Sequence, residues 1–388
     1  GEVALSAEIT LAEALKPAGY TTGHFGKWHL GSLSAESATS PGAQGFDEWS
    51  SSPNFYENDP LFSRRGKVEK TSGESSMVTA ERALEFIEEA TKAKKPFAAV
   101  VWFGNPHTPH VATEELRKPY AHLPPAMQNY WGEITGIDRA VGRLRTRLRE
   151  LGIADDTLLL FTSDNGAMAP GSTGGLRGKK GTNYEGGLRV PGLIEWPARF
   201  KEPRVVTVPC GTVDILPTVL AAAGVSYPQA DRPLDGQDIL PIVDGKAEGR
   251  KQGLGFWTYP MKGRGMTSSA ILTALRNAQA VEPLPSPKTP AVALVDEDAE
   301  LHATKYPTNE FPGHAAWVDG RYKLHRMGGP VGAGGDGEPT LQLYDLIDDP
   351  AETNDLAKTE AKRAAAMAEQ LAAWQRSVLE SLNGEDDN

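Results

Sequence analysis

Thr157-Leu158-Leu159-Leu160-Phe161-Thr162-Ser163-Asp164-Asn165-Gly166 is an apolar run that ends abruptly in a polar turn. No polar residue alternates within it, so it reads as a strand buried on both faces. The helix ahead of it is the clearest in the chain, with Ile134, Ile137, Val141, Leu144, Leu148 and Leu151 recurring three or four apart before Gly152. Asp155-Asp156 precede the strand and fall at the end opposite Asp164. The same unit recurs twice upstream. A helix over residues 11–16, stopped by Pro17 and Gly19, leads to a strand over 20–25 and then to Lys27 and His29. A helix over 79–94, with Ala80, Ala83, Leu84 and Ile87 on one face, leads to a strand over 97–104 and then to His107 and His110.

Helices alternating with apolar strands imply a mainly parallel sheet covered on both faces. Ligands of such sheets bind outside the carboxyl ends of the strands. The three polar clusters are therefore expected on one rim, far apart as they are in sequence. Beyond Gly224 the texture changes: residues 245–276 and the Pro-rich run 283–290 read as loops, and the acidic stretch 296–300 as solvated surface. Strands over 315–318 and 321–325 flank Asp319-Gly320, a hairpin signal, a third strand is expected over 341–346, and a helix over 360–382 covers that small sheet. The expected division is 1–250 for the α/β domain, 251–312 for an irregular connection and 313–388 for a C-terminal α+β subdomain with an antiparallel sheet.

The 388 residues are enough for such a two-part molecule. A net charge of -11 argues against a nucleic-acid partner, and any anionic substrate must be held by a few local cations in a cleft. The single cysteine, Cys210, excludes an internal disulfide framework and a multi-cysteine zinc site, and is expected as a small buried residue. The apolar runs at 97–103 and 158–161 fall far short of the ~20 residues that span a bilayer. Residues 1–9 carry no basic start or apolar core of a signal peptide.

Lys27 and His29 stand in a glycine-flanked turn at a strand end, a compact cation beside an imidazole that exchanges protons near neutrality. Alone, Lys-x-His reads first as a solvated turn. In Asn105-Pro106-His107-Thr108-Pro109-His110 two prolines stiffen a loop whose imidazoles reach outward, and His107 suits a general acid for a departing alkoxide. Backbone-satisfied histidines are the alternative. Asp164-Asn165 pairs a carboxylate with an amide oxygen, hard donors that favour calcium, although Asp-Asn-Gly is also an ordinary turn. From Leu176 to Pro191 cations and glycines precede a further strand; Lys180 can reach an oxyanion, while Glu185 and Arg189 read as ties between the loop and its neighbours.

Together these stretches resemble the type I sulfatase family of the alkaline-phosphatase-like superfamily. The segment from Gly19 to Gly31 is similar to that family's second signature, Ser163 to Gly166 to its late metal-ligand pair, and Lys180 with Tyr184-Glu185-Gly186-Gly187 to its substrate loop. The likeness continues through Asp214-Ile215-Leu216-Pro217-Thr218 and Leu343-Tyr344-Asp345-Leu346. It implies an alkaline-phosphatase-like sandwich and hydrolysis of an aryl or carbohydrate sulfate by a hydrated formylglycine. By that resemblance Lys27 and Lys180 hold sulfate oxygens, His29 assists the formylglycine, His107 protonates the leaving group and His110 contacts the alcohol portion. Asp164 and Asn165 bind calcium, with magnesium as the alternative ion.

Cys210 is followed by Gly211-Thr212-Val213 and matches no Cys/Ser-x-Pro/Ala-x-Arg modification motif, nor does any serine, and the family's early Asp-Asp ligands have no counterpart here. The expectation is a chain whose nucleophile segment lies upstream and which is inactive by itself. A degenerate, non-catalytic protein that binds sulfated glycans is one rival. A phosphonate monoester or phosphodiester hydrolase is another, although such relatives tend to carry Asp-His where Asp164-Asn165 stands. The resemblance further implies a formylglycine-generating maturation enzyme as partner; charge and the short apolar runs point away from a nucleic-acid or membrane partner, and the expected location is the bacterial periplasm or outside the cell, with the cytoplasm as the alternative.

Overall fold

The computed structural model describes residues 8–53, 57–229, 232–259, 273, 277, 305–328 and 339–385. The expected loops over 260–272, 283–290 and 296–300 lie outside the described residues. The chain forms two compact units, residues 1–157 with 263–301 and residues 158–262 with 302–388.

In the first unit Thr10 opens a short helix, Leu11–Leu15, with a reciprocal cap: its hydroxyl accepts the Glu13 N–H at 3.1 Å and the Glu13 carboxylate accepts the Thr10 N–H at 2.9 Å. Pro17 and Gly19 end it. Strand β1 (Thr21–Lys27) follows and lies between β2 (Glu48–Ser52) and β5 (Phe97–Trp102), parallel to both. The hairpin β3 (Phe62–Arg64) and β4 (Lys67–Glu69) extends the sheet antiparallel beyond β2, giving the order β4-β3-β2-β1-β5. Neither β2 nor β3 carries an unbroken apolar run of the kind that forms β5. These strands are rich in serine and charge, and their burial comes from neighbours instead of composition: Ser50, Ser51 and Ser63 are all buried.

The helix Ser75–Lys92 packs on β1 and β5, bringing the Phe86 ring to 5.6 Å from that of Phe25. The helix Pro125–Glu150 lies against it, with Arg143 2.8 Å from Glu81 and Arg147 2.8 Å from Glu88. Its most buried stripe is Gly132, Glu133, Gly136, Ala140, Leu144 and Leu148, one step aside from the larger Ile134, Ile137 and Val141. Small residues permit this close approach, since a Cβ at Gly136 would stand 2.9 Å from the Glu74 carboxylate.

In the second unit lies β6 (Leu159–Thr162). It pairs antiparallel with β7 (Gly192–Glu195), because the chain leaves β6 through the 163–191 loop and returns alongside it. A four-stranded antiparallel sheet follows in the order β11-β10-β9-β8, from β8 (Leu254–Thr258), β9 (His314–Asp319), β10 (Tyr322–Met327) and β11 (Thr340–Asp345). Strand β8 corrects the reading of 245–276 as loop throughout: Gly255 is not a breaker but a point of close approach, where a Cβ would meet the Trp374 ring at 2.4 Å. Leu324 and Leu343 point at the helix Ala361–Leu382 and form a core with Met367 and Leu371. Lys323 and His325, one residue either side of Leu324, therefore point to the opposite face. Among the described residues no helix is long and apolar enough to cross a membrane.

Candidate active site

Lys27 ends β1 and His29 follows two residues later, while His107 and His110 follow the end of the adjacent parallel strand β5. Because Gly26 pairs with Trp102, both sets leave the same edge of the sheet. The exit from β1 has no room for a side chain at residue 26: Gly26 has φ 100° and a Cβ there would stand 2.0 Å from the Trp102 carbonyl oxygen. Trp28 anchors the turn by donating from Nε1 to the Thr39 carbonyl at 2.9 Å. His29 holds φ 48°, a left-handed conformation uncommon for a residue with a side chain and typical of functional turns. Within β1, His24 is buried among the rings of Trp28, Phe46 and Trp102, and desolvation pushes its pKa down to about 3. It is a neutral imidazole at any working pH.

The ring nitrogen Nδ1 of His107 lies 2.8 Å from the Thr108 carbonyl oxygen, so Nδ1 is the donor of that bond. His110 has a partner that the sequence reading did not find. Its Nδ1–H donates to Glu133 at 2.8 Å, and the other Glu133 oxygen accepts the Val111 N–H at 2.7 Å. Burial pushes the Glu133 carboxyl up in pKa, against the downward pull of His110 and Val111. The signal was a glutamate on the buried stripe of an otherwise amphipathic helix.

In the second unit, Asp164 and Asn165 form the turn that leaves β6, held by the Ser163 hydroxyl donating to the Asn165 carbonyl at 3.2 Å. The Lys180 loop is bonded to that turn twice: Gly166 N–H donates to Gly187 C=O at 2.9 Å and Lys180 N–H to Ala167 C=O at 3.2 Å. The seven site residues singled out from sequence thus form two groups, Lys27, His29, His107 and His110 in the first unit, and Asp164, Asn165 and Lys180 in the second.

Glu185, at the start of the short helix Glu185–Leu188, is a structural tie. Its carboxylate accepts from Lys323 Nζ at 2.8 Å, and the same ammonium lies 3.2 Å from Glu352, with Lys323 and Glu352 fully buried. Removing the cation leaves two buried carboxylates without it, which typically costs about 3–5 kcal/mol. Lys323→Ala is expected to lower the urea-unfolding free energy by that amount; a loss below about 1 kcal/mol would remove the ion cluster as a stabilising element.

Cys210 is exposed, not buried as its residue type suggests, because it lies in the extended stretch before the short turn Thr212–Asp214. Local desolvation and the neighbouring Asp214 hold its thiol above the ordinary range. This is the opposite of an activated nucleophile. Asp164 and Asn165 are hard oxygen donors and fit calcium as part of the six to eight ligands it takes. Among the described residues no group of three or more His, Cys, Asp and Glu side chains comes together to complete such a shell.

The sequence model of the Sulfatase family matches residues 5–225, more than half of the chain. The N-acetylgalactosamine-6-sulfatase of Canis lupus familiaris is 33% identical over 270 residues, covering 61% of this chain and 49% of that protein. The chain spans about half the length of the curated relatives it matches. The crystal structure of Ps i-CgsB shares the fold with a TM-score of 0.74 at 20% identity, over 100% of this chain and 80% of that one. The phosphonate monoester hydrolase of Agrobacterium radiobacter shares it less closely, with a TM-score of 0.53 at 19% identity over 95% of this chain and 80% of that one.

Proposed function

Because the chain belongs to the sulfatase family, with an alkaline-phosphatase-like fold, we propose that it supplies the substrate-binding and acid–base residues of an enzyme that hydrolyses a sulfate ester. The observation that carries this reading is the parallel register of β1 and β5, which sets Lys27, His29 and His107 at one sheet edge. Lys27 and Lys180 hold sulfate oxygens, each a compact charge for an oxyanion. His107 donates from Nε2 to the oxygen of the departing alcohol as the S–O bond breaks, and its Nδ1–H···O=C bond to Thr108 fixes the ring for that transfer. His29 assists at the nucleophile and His110, oriented by Glu133, faces the alcohol portion. Asp164 and Asn165 hold calcium, which when bound supplies a Lewis acid and a template for the sulfate.

A hydrated formylglycine, from residues other than Cys210, supplies the nucleophile, and its maturation enzyme is the implied partner. Asp164-Asn165 favours this reading over a phosphonate or phosphodiester hydrolase. The test is to give an active protein containing this chain matched sulfate monoesters, phosphonate monoesters and phosphodiesters of one alcohol. The sulfate ester is expected to have the highest kcat/KM. A phosphonate or phosphodiester preferred over it would overturn the assignment.

A further inference from the structure

The loop that carries Lys180 is held from outside by one buried carboxylate. Glu352 follows β11 in the chain, is fully buried and has φ 56°. A non-glycine residue keeps that conformation only where its surroundings fix it. Four groups do so. One carboxylate oxygen accepts the Glu185 N–H at 2.6 Å; the other accepts His325 Nε2–H at 2.6 Å and Lys323 Nζ at 3.2 Å; and the Glu352 carbonyl accepts Arg177 Nη1 at 3.0 Å. His325 is held in turn, its Nδ1 accepting from His314 Nε2 at 2.8 Å. Burial alone would raise the pKa of Glu352, but His325, Lys323 and the Glu185 amide outweigh it and hold the carboxyl below its usual range.

Arg177 and Glu185 bracket the segment that contains Lys180. Glu352 grips both ends, and the loop closes on itself through Gly186 N–H donating to the Arg177 carbonyl at 2.7 Å. The closure leaves no slack, since a Cβ at Gly187 would stand 2.1 Å from the Thr182 carbonyl oxygen. The loop in turn is bonded to the Asp164–Gly166 turn through Gly166 and Lys180. We infer that Glu352 is a positioning residue: touching no substrate, it sets where Lys180 and the Asp164-Asn165 turn stand by clasping Arg177 and Glu185. The inference rests on the reading of Lys180 as a sulfate-holding cation.

The experiment uses Glu352→Gln, which keeps the shape but loses an acceptor oxygen, and Glu352→Asp, which keeps the charge, in an active protein containing this chain. Inhibition by inorganic sulfate, KM for a sulfate ester and amide exchange over residues 177–188 are measured. Glu352→Gln is expected to weaken sulfate inhibition and raise KM by about tenfold, the scale found for partners one shell out from a site. Exchange over 177–188 should speed up while β9 and β10 stay protected, and Glu352→Asp should recover part of both effects.

A residue important only for stability would lower the amount of active protein and leave KM and sulfate affinity unchanged. That result would overturn the inference. Lys180→Ala separates the two layers. If Lys180→Ala leaves sulfate affinity intact, the functional reading beneath fails. If Lys180→Ala weakens it while Glu352→Gln changes neither affinity nor loop exchange, the positioning role alone fails. Should Glu352→Gln not fold, the same measurements on Glu352→Asp decide: unchanged KM and unchanged exchange over 177–188 overturn the inference, and parallel changes in both support it.

Discussion

His107→Ala in an active protein containing this chain is expected to slow an alkyl or sugar sulfate by about 10²- to 10⁴-fold, and an activated aryl sulfate far less. An alkoxide is a poor leaving group that needs a proton as the S–O bond breaks, whereas a nitrophenolate departs without one. Nδ1–H is committed to the Thr108 carbonyl, so the proposed transfer runs through Nε2. His110→Ala serves as the contrast, because its Nδ1 is bound to Glu133 and its proposed contact is with the alcohol portion. It should raise KM on bulky alcohols without steepening the dependence on leaving-group pKa. Equal losses on alkyl and aryl esters for His107→Ala would remove it from the acid role.

How much of this was legible in the sequence depends on where burial comes from. The strands at 97–104 and 157–162 were legible because their apolar runs have no polar alternation, and the structure places β5 and β6 within them. Strands β2 and β3 were not, because Glu48–Ser52 and Phe62–Arg64 are buried by neighbours and not by composition. The hairpin around Gly320 was legible, but its turn is Gly320-Arg321, one residue on from Asp319-Gly320, since Asp319 pairs with Tyr322.

Among the site residues, the sequence reading picked out those that follow strands. It missed Glu133, which reaches His110 from a helix 23 residues away, and it missed the cluster of Lys323, His325 and Glu352. In β10, Lys323 and His325 alternate with Leu324, and such a pattern reads as one solvated face. The Tyr184–Glu185 segment covers that face instead, with the Tyr184 ring 4.6 Å from His325. A period of two tells which residues share a face and is silent about what covers it. Glu185 is the exception: read from sequence as a tie between the loop and its neighbours, it is found bonded to Lys323.

The 388 residues by themselves are expected to give no turnover of any sulfate ester and to gain little from calcium. The only cysteine is Cys210, and its thiol leans on the Val208 carbonyl at 3.5 Å, followed by Gly211 in a sequence that offers nothing for conversion to formylglycine. Without a covalent nucleophile the lysines and histidines can bind sulfate and still have no route to cleave it. Asp164 and Asn165 offer at most three side-chain oxygens where calcium takes about six to eight ligands. A site only half filled by the ion adds about 0.4 kcal/mol to stability, which moves the unfolding midpoint by about 0.5 °C. The measurement is aryl sulfate hydrolysis and calcium-dependent thermal unfolding of this chain beside an active protein containing it, under identical conditions. Activity and a larger calcium shift are expected only in the active protein. Calcium-dependent turnover by the 388 residues alone, unaffected by Cys210→Ala and free of contaminating sulfatase, would mean that the nucleophile lies among them in a form the modification motif does not describe.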